Sequence, residues 1–251
     1  MRGVFMWIYI CGDNERTYYL REMANKRGHR VTCPDDAQVI VLPLPRSEVS
    51  PALSERLHRG QILVCGLVND ELRRKAQAAE WTLHCLYEDE KYQQENAVDS
   101  AEGAVFALMR EAPFLISGSR CLVIGGGRLG CALHRVLCGM GAEAWVAARS
   151  QEQRERIGKN AMNLEQAMES TGSFDAVINT VPAQIIGSSF LANMRKGALL
   201  MDTASAPYGF NLEEAKQLRI HAWRENGIPG RYCPQTAAKR ILDAIERGCC
   251  V

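Results

Sequence analysis

The chain has 251 residues, 47% hydrophobic and 24% charged, and its 30 Lys and Arg nearly balance 29 Asp and Glu. That composition suits a soluble globular protein with room for one large or two modest cores. It lacks the global excess of positive charge that would mark a polyanion binder, so nucleic acid is not an expected partner.

Residues 1–10 combine a basic start with an apolar segment too short to span a bilayer and lacking a small-residue cleavage site. They read as a first strand and its approach, and cytoplasmic placement without a membrane is the expectation. Strands are expected at 5–11, 39–42, 62–65 and 81–85, each continuously apolar as in a sheet covered on both faces. Helices are expected between them at 15–26, with Asp13 or Asn14 as cap and Gly28 as stop, at 50–58, and at 69–79. A long helix from about residue 89 or 95 to 111 follows, with Ala97, Ala101, Ala104, Val105, Leu108 and Met109 on an apolar side and Pro113 at its end.

A second strand-helix series then begins, with strands at 121–124, 144–148, 176–179 and 198–202 and helices at 128–139, 152–157, 164–169 and 212–218. A last helix, 235–246, either completes this series or crosses back to the first. The expected fold is α/β, with two Rossmann-like domains on mostly parallel sheets, the second a doubly wound dinucleotide-binding domain. The expected boundaries are a substrate-side domain at 1–92, a linking helix at 93–115, the dinucleotide domain at 116–232 and the C-terminal helix at 233–251.

Gly125, Gly127 and Gly130 form GxGxxG between an apolar strand and a helical pattern. In that context the first glycine makes a tight turn, the second admits a pyrophosphate, and the third brings helix and sheet together. Arg128 and Leu129 complete the loop, and the absence of a following Lys-Ser or Lys-Thr disfavours a triphosphate loop. The next strand ends in Ala148-Arg149-Ser150, where an NAD site would place an acid on the adenosine ribose. Arg149 and Ser150 instead offer donors to a 2′-phosphate, so NADP is expected, with NAD the alternative. Arg154 joins this cofactor set, as do Thr180, Val181 and Pro182, which follow the strand at 176–179. The ten cysteines form no CxxC pair and the five histidines no short-spaced motif, so neither a disulfide framework nor a metal site is expected.

Gly12-Asp13, Leu42-Pro43-Leu44-Pro45, Glu95-Asn96-Ala97 with Ala101-Glu102-Gly103, the glycine loop, and Pro229-Gly230-Arg231 leading to Pro234-Gln235-Thr236-Ala237 occur in that order. With these motifs the chain resembles the A subunit of dipicolinate synthase over nearly its whole length, its cofactor domain being similar to those of D-2-hydroxyacid dehydrogenases. The resemblance implies oxidation of a dihydropyridine dicarboxylate, drawn from the lysine pathway, to dipicolinate during sporulation, beside a flavoprotein-like B subunit. A non-catalytic, redox-sensing partner of that flavoprotein is the other reading, and self-association stays open. Two departures are visible: Asn14-Glu15-Arg16 replaces an Arg-Gln pair usual after Gly-Asp, and the segment between Gly28 and Asp36 is shortened.

Hydride transfer to a pyridine nucleotide requires a held donor carbon and a destination for a proton. Arg16, Arg46 and Arg231 are the candidates for pairing with two carboxylates, and Ser47 and Asn96 for neutral hydrogen bonds. Asp13 and Glu102 are candidate bases, Asp13 by its loop and Glu102 through the resemblance.

Overall fold

The computed structural model describes residues 5–45 and 47–249. It divides into two compact units, Met1–Asn96 with Pro229–Val251, and Ala97–Ile228. Each holds its own sheet, and every strand pairing in both is parallel.

In unit 1, β1 (Trp7–Ile10), β2 (Arg30–Val31), β3 (Val39–Val41), β4 (Ile62–Cys65) and β5 (Thr82–Cys85) form a five-stranded sheet in the order β2-β1-β3-β4-β5. The order reverses between β1 and β3, which opens a crevice at their carboxyl ends where such sheets take ligands. The helices are α1 (Glu15–Lys26), α2 (Pro51–Ser54) and α3 (Asp70–Ala78), and α4 (Glu90–Glu111) carries the chain into unit 2. The helix expected at 50–58 stops at Ser54. The Gln61 side chain takes the His58 N–H at 2.6 Å and donates to the carbonyls of Pro34 and Ala37, so the backbone beyond Ser54 is held in a turn.

Unit 2 contains β6 (Arg120–Ile124), β7 (Glu143–Ala147), β8 (Ala161–Met162), β9 (Ala176–Asn179), β10 (Leu199–Asp202) and β11 (His221–Arg224), in the order β11-β10-β9-β6-β7-β8. This is the doubly wound arrangement, with its reversal between β6 and β9. Its helices after α4 are α5 (Arg128–Gly139), α6 (Gln151–Ile157), α7 (Leu164–Ser170), α8 (Ser188–Asn193) and α9 (Leu212–Gln217). Leu122, Ile124, Ala147, Phe174, Val177 and Leu200 form part of a dry core.

The chain leaves unit 2 through α10 (Ile228–Tyr232) and ends in α11 (Pro234–Gly248), which settles the two placements left open for the last helix. Ala238, Ile241, Leu242 and Ile245 of α11 pack with Ile8, Leu20 and Ala24 in the core of unit 1. Arg27 meets Asp243 and Glu246, each at 2.7 Å, along the rim of that contact.

Candidate functional site

The glycine loop of unit 2 lies at the strand-order reversal because β6 delivers it there. Gly125 has φ +113°, and a Cβ on it would stand 2.3 Å from Thr180 Oγ1. A Cβ on Gly130 would stand 1.8 Å from the Gly125 carbonyl oxygen, so packing alone demands both glycines. Gly127 differs. Its φ of −78° suits any residue, and no atom lies within 4 Å of where its Cβ would be. The protein's own packing does not account for a glycine there, whereas close approach of a ligand to the backbone does. Gly127 also begins α5 without a side-chain cap, leaving amide groups at a helix start for an anion. The loop thus fits a dinucleotide diphosphate.

Arg128 and Arg149 are exposed, and among the described residues neither enters an ion pair. Leu129 is half-buried. Ala148 is buried at 1% exposure, and a Cβ on Gly126 would lie 2.8 Å from its methyl, so Ala148 packs against the glycine loop and carries no charge there. Ser150 caps α6 by accepting from the Gln153 N–H at 3.2 Å and keeps its own proton for another acceptor. Arg154 Nη1 donates to the carbonyls of Ala148 and Arg149 at 2.9 and 2.7 Å. Arg156, which no spacing in the sequence singled out, donates through Nη2 to the Gly126 carbonyl at 2.8 Å.

Thr180 closes the other side, its Oγ1 donating to the Ile124 carbonyl at 2.9 Å, with Val181 half-buried and Pro182 exposed beyond it. A buried pair sets this edge: Asn179 Nδ2 donates to Asp202 Oδ1 at 2.8 Å and to the Val181 carbonyl at 2.9 Å. The Asp202 carboxylate also accepts from the Ala204 and Gly209 amides, so both loops hang on one fully buried acid. Sequence reading located these loops without this network, because its partners lie up to 23 positions apart.

In unit 1 the reversal between β1 and β3 gathers the loops of Gly12–Arg16 and Pro43–Ser47. Asp13 is exposed. Asn14, not Asp13, caps α1, exchanging reciprocal bonds with Thr17. Arg16 Nη2 donates to the Leu44 carbonyl at 3.1 Å, and its Nη1 lies 3.2 Å from where a Cβ on Gly230 would stand. Arg231, beside Gly230, has its guanidinium 5.1 Å from the Tyr232 ring centre. Arg46 lies outside the described residues.

Ser47 corrects the expectation of a substrate-orienting hydroxyl. It is 3% exposed, donates to the Pro43 carbonyl and accepts from the Gly66 N–H at 2.8 Å, so its hydroxyl is committed to holding two loops together. A recess of 590 Å³ opens beside it, lined by Pro43, Glu48, Asn69 and Lys75 among others. Burial pushes the Cys11 thiol up to about 11 despite nearby Arg21, which leaves it protonated at neutral pH. Arg21, also unforeseen, holds the carbonyls of Ile10 and Gly12 at 2.8 and 2.6 Å.

The structure does not bring Asn96 and Glu102 together. Both lie on α4, Asn96 half-buried and Glu102 exposed, and helical rise separates them by roughly 9 Å along the axis. Among the described residues no group of three or more His, Cys, Asp and Glu converges to hold a metal, every cysteine is a free thiol, and no helix is long and apolar enough to cross a membrane.

Residues 89–208 match the NAD-binding domain of D-isomer-specific 2-hydroxyacid dehydrogenases. The chain is 28% identical over 189 residues to the A subunit of dipicolinate synthase from Bacillus subtilis (strain 168), and the match spans 74% of this chain and 64% of that protein. Among solved structures it is similar to the A subunit of dipicolinate synthase from Bacillus halodurans, with a TM-score of 0.86 at 22% identity over 96% of this chain and 97% of the other. The corresponding chain of the Bacillus subtilis synthase gives a TM-score of 0.85 at 22% identity, covering 97% and 95%. The chain therefore resembles the A subunit of dipicolinate synthase, and residues 89–208 form a Rossmann domain of the NAD-binding type.

Proposed function

We propose that the protein oxidises a dihydropyridine dicarboxylate to dipicolinate with NADP, acting in the cytoplasm as the A subunit of a two-subunit synthase beside a flavoprotein-like B subunit. The observation that carries this reading is the adenosine side of the cofactor loop. Where an NAD site places an acid, the chain has buried Ala148, unpaired Arg149 and the donor hydroxyl of Ser150. The resemblance over 74% of the chain supports the substrate and the partner.

A bound pyridine nucleotide would supply a two-electron acceptor for a hydride from the ring carbon, and the remaining ring hydrogen leaves as a proton. Gly127 and the uncapped start of α5 hold the diphosphate, Arg128 adds positive charge, and Arg149 and Ser150 meet the 2′-phosphate. Thr180, Val181 and Pro182 border the nicotinamide half. Arg16 and Arg231 are proposed to hold the two carboxylates, with Asn96 orienting the ring. Asp13 is the proposed proton acceptor, with Glu102 second. Because the product is aromatic, the reaction is downhill, and positioning contributes more than a strongly tuned base.

Turnover tests the activity. Purified protein, alone and mixed with a flavoprotein-like B subunit, should reduce NADP when given the dihydropyridine substrate, with dipicolinate forming in equal amount. Dinucleotide binding without turnover in either mixture would leave a redox-sensing role instead. The cofactor choice is tested by Arg149→Ala. Loss of one charge-assisted bond of roughly 1.5–3 kcal/mol lowers NADP affinity about 10-fold to 150-fold. NAD affinity should change far less. Equal losses for both dinucleotides in calorimetric titration, or none, would return Arg149 to the solvated surface.

A further inference from the structure

We infer that α6 is a two-point clamp on the cofactor loops: Arg154 positions Arg149 for the 2′-phosphate, and Arg156 positions the glycine loop for the diphosphate. The inference rests on the dinucleotide reading above and divides its binding energy between two residues that act through others.

The geometry separates the two arms. Arg154 Nη1 bridges two successive carbonyls, Ala148 at 2.9 Å and Arg149 at 2.7 Å. These belong to the peptide planes on either side of Arg149. Holding both planes fixes both backbone rotations of Arg149, and with them the direction in which its exposed side chain leaves the chain. Because Arg154 already serves the carbonyls of Ala148 and Arg149, it acts as a positioning residue, and Arg149, which enters no ion pair among the described residues, is left for the phosphate.

Arg156 works on the neighbouring loop. Its Nη2 donates to the Gly126 carbonyl at 2.8 Å and passes 3.9 Å from Cys131 Sγ in the first turns of α5. In a trans peptide the C=O and the following N–H point in opposite directions, so fixing the Gly126 carbonyl fixes the Gly127 N–H. Gly127 is the residue whose α-carbon faces open space at the start of α5. Loops rich in glycine lose much freedom when a ligand orders them, and a fastened peptide reduces that loss before binding. Gln153, on the same helix, adds contact: a Cβ on Gly126 would lie 3.1 Å from both Gln153 Cβ and Oε1.

The arms predict different phenotypes from residues two positions apart on one short helix. NADP and NAD share the diphosphate and differ only in the 2′-phosphate. Arg154→Ala should lower NADP affinity about 10-fold while NAD affinity moves less than about 3-fold, whereas Arg156→Ala should lower both by the same factor of about 10. Arg156→Lys, which keeps one donor for the Gly126 carbonyl, should regain most of the loss.

Calorimetric titration of wild type and the three variants with NADP and NAD decides, with thermal unfolding to establish that each is folded. Wild-type protein that binds neither dinucleotide sinks the cofactor reading and the clamp together. Normal wild-type binding overturns the clamp alone if R154A and R156A shift both dinucleotides in the same proportion, or if neither shifts any. R156K as weak as R156A also overturns the Arg156 arm. Should R156A fail to fold, the R154A ratio and R156K still test each arm, since a merely structural role would not change the NADP-to-NAD preference.

Discussion

The first strand of each unit leads through a glycine-bearing turn into a helix of twelve residues, yet the two helix starts are finished in opposite ways. At α1 the protein completes itself: Asn14 and Thr17 exchange reciprocal bonds, Arg21 holds the Gly12 carbonyl, and Asp13 and Glu15 put negative charge beside the positive helix end. At α5 nothing caps the helix, the first turn carries no acid, and Arg128 stands exposed. One fold therefore supplies a side-chain-capped helix terminus in unit 1 and an uncapped one in unit 2. Architecture alone does not make a phosphate site; leaving the helix start unsatisfied does. Unit 1 instead turns Arg16, in the first turn of α1, to the Leu44 carbonyl.

The largest expected effect breaks the comparison at the glycines. Gly130→Ala places a methyl 1.8 Å from the Gly125 carbonyl oxygen, a backbone atom that cannot swing aside. Overpacking of that kind costs about 1–3 kcal/mol or more of stability and should abolish dinucleotide binding with it. Gly127→Ala is the contrasting case. Its φ of −78° and the open space around it predict near-normal thermal unfolding. NADP affinity should nonetheless fall at least about 10-fold, or about 1.4 kcal/mol, because the added methyl occupies the diphosphate's place. Calorimetry and thermal denaturation of both variants check this. If G127A binds normally, the open face of Gly127 is not a ligand cradle.

Asn14→Ala sharpens the comparison from the other side. Removing a side-chain cap costs about 1 kcal/mol, so unit 1 should lose stability in urea denaturation. Dinucleotide affinity should not move, because Asn14 spends its side chain on the Thr17 amide within unit 1. A parallel fall in NADP affinity would show that the two helix starts are not the independent devices described.

Much of this contrast was legible in the sequence because it is local. Continuous apolar runs gave the strands of both sheets, and three glycines between strand and helix marked the turn from β6 into α5. The departures are non-local or too short to be periodic. β2 and β8 are two-residue strands, defined by their neighbours and not by a pattern of their own. The turn after Ser54 is dictated by Gln61 reaching back to Pro34 and Ala37. Ser47 reads as an available hydroxyl until the fold brings Gly66, nineteen positions on, against it. The placement of α11 could not be read either, since an amphipathic helix states which face is buried and not against what. Arg154 and Arg156 look alike in sequence, and only the carbonyls they reach tell them apart.

The smallest effect lies in unit 1, where α11 closes over β5. A Cβ on Gly248 would lie 2.0 Å from the His84 ring, and His84 Nε2 is buried with no hydrogen-bond partner among the described residues. Burial, aided by Arg247, pulls the His84 pKa below its ordinary 6.5, although Asp89 and a bond to the Ala244 backbone oppose it. The folded state therefore resists a proton that the unfolded chain accepts near pH 6.5. Stability from this group is present above that value and declines as the pH falls through 6.5 toward the lower folded-state value. Urea denaturation at pH 7.5 and 5.5 should show wild type losing stability over that interval. His84→Gln cannot titrate and should remove part of the slope, while its lost ring packing lowers stability at both pH values alike. The Asp243 carboxylate on Arg27 does not confound the interval: bonds from Lys239 and Arg27 outweigh burial and hold it below its ordinary 3.8, so its contribution is lost only at more acid pH. An unchanged slope in H84Q would mean that the wedge between β5 and α11 takes up the proton without cost and that acid sensitivity in this interval arises elsewhere.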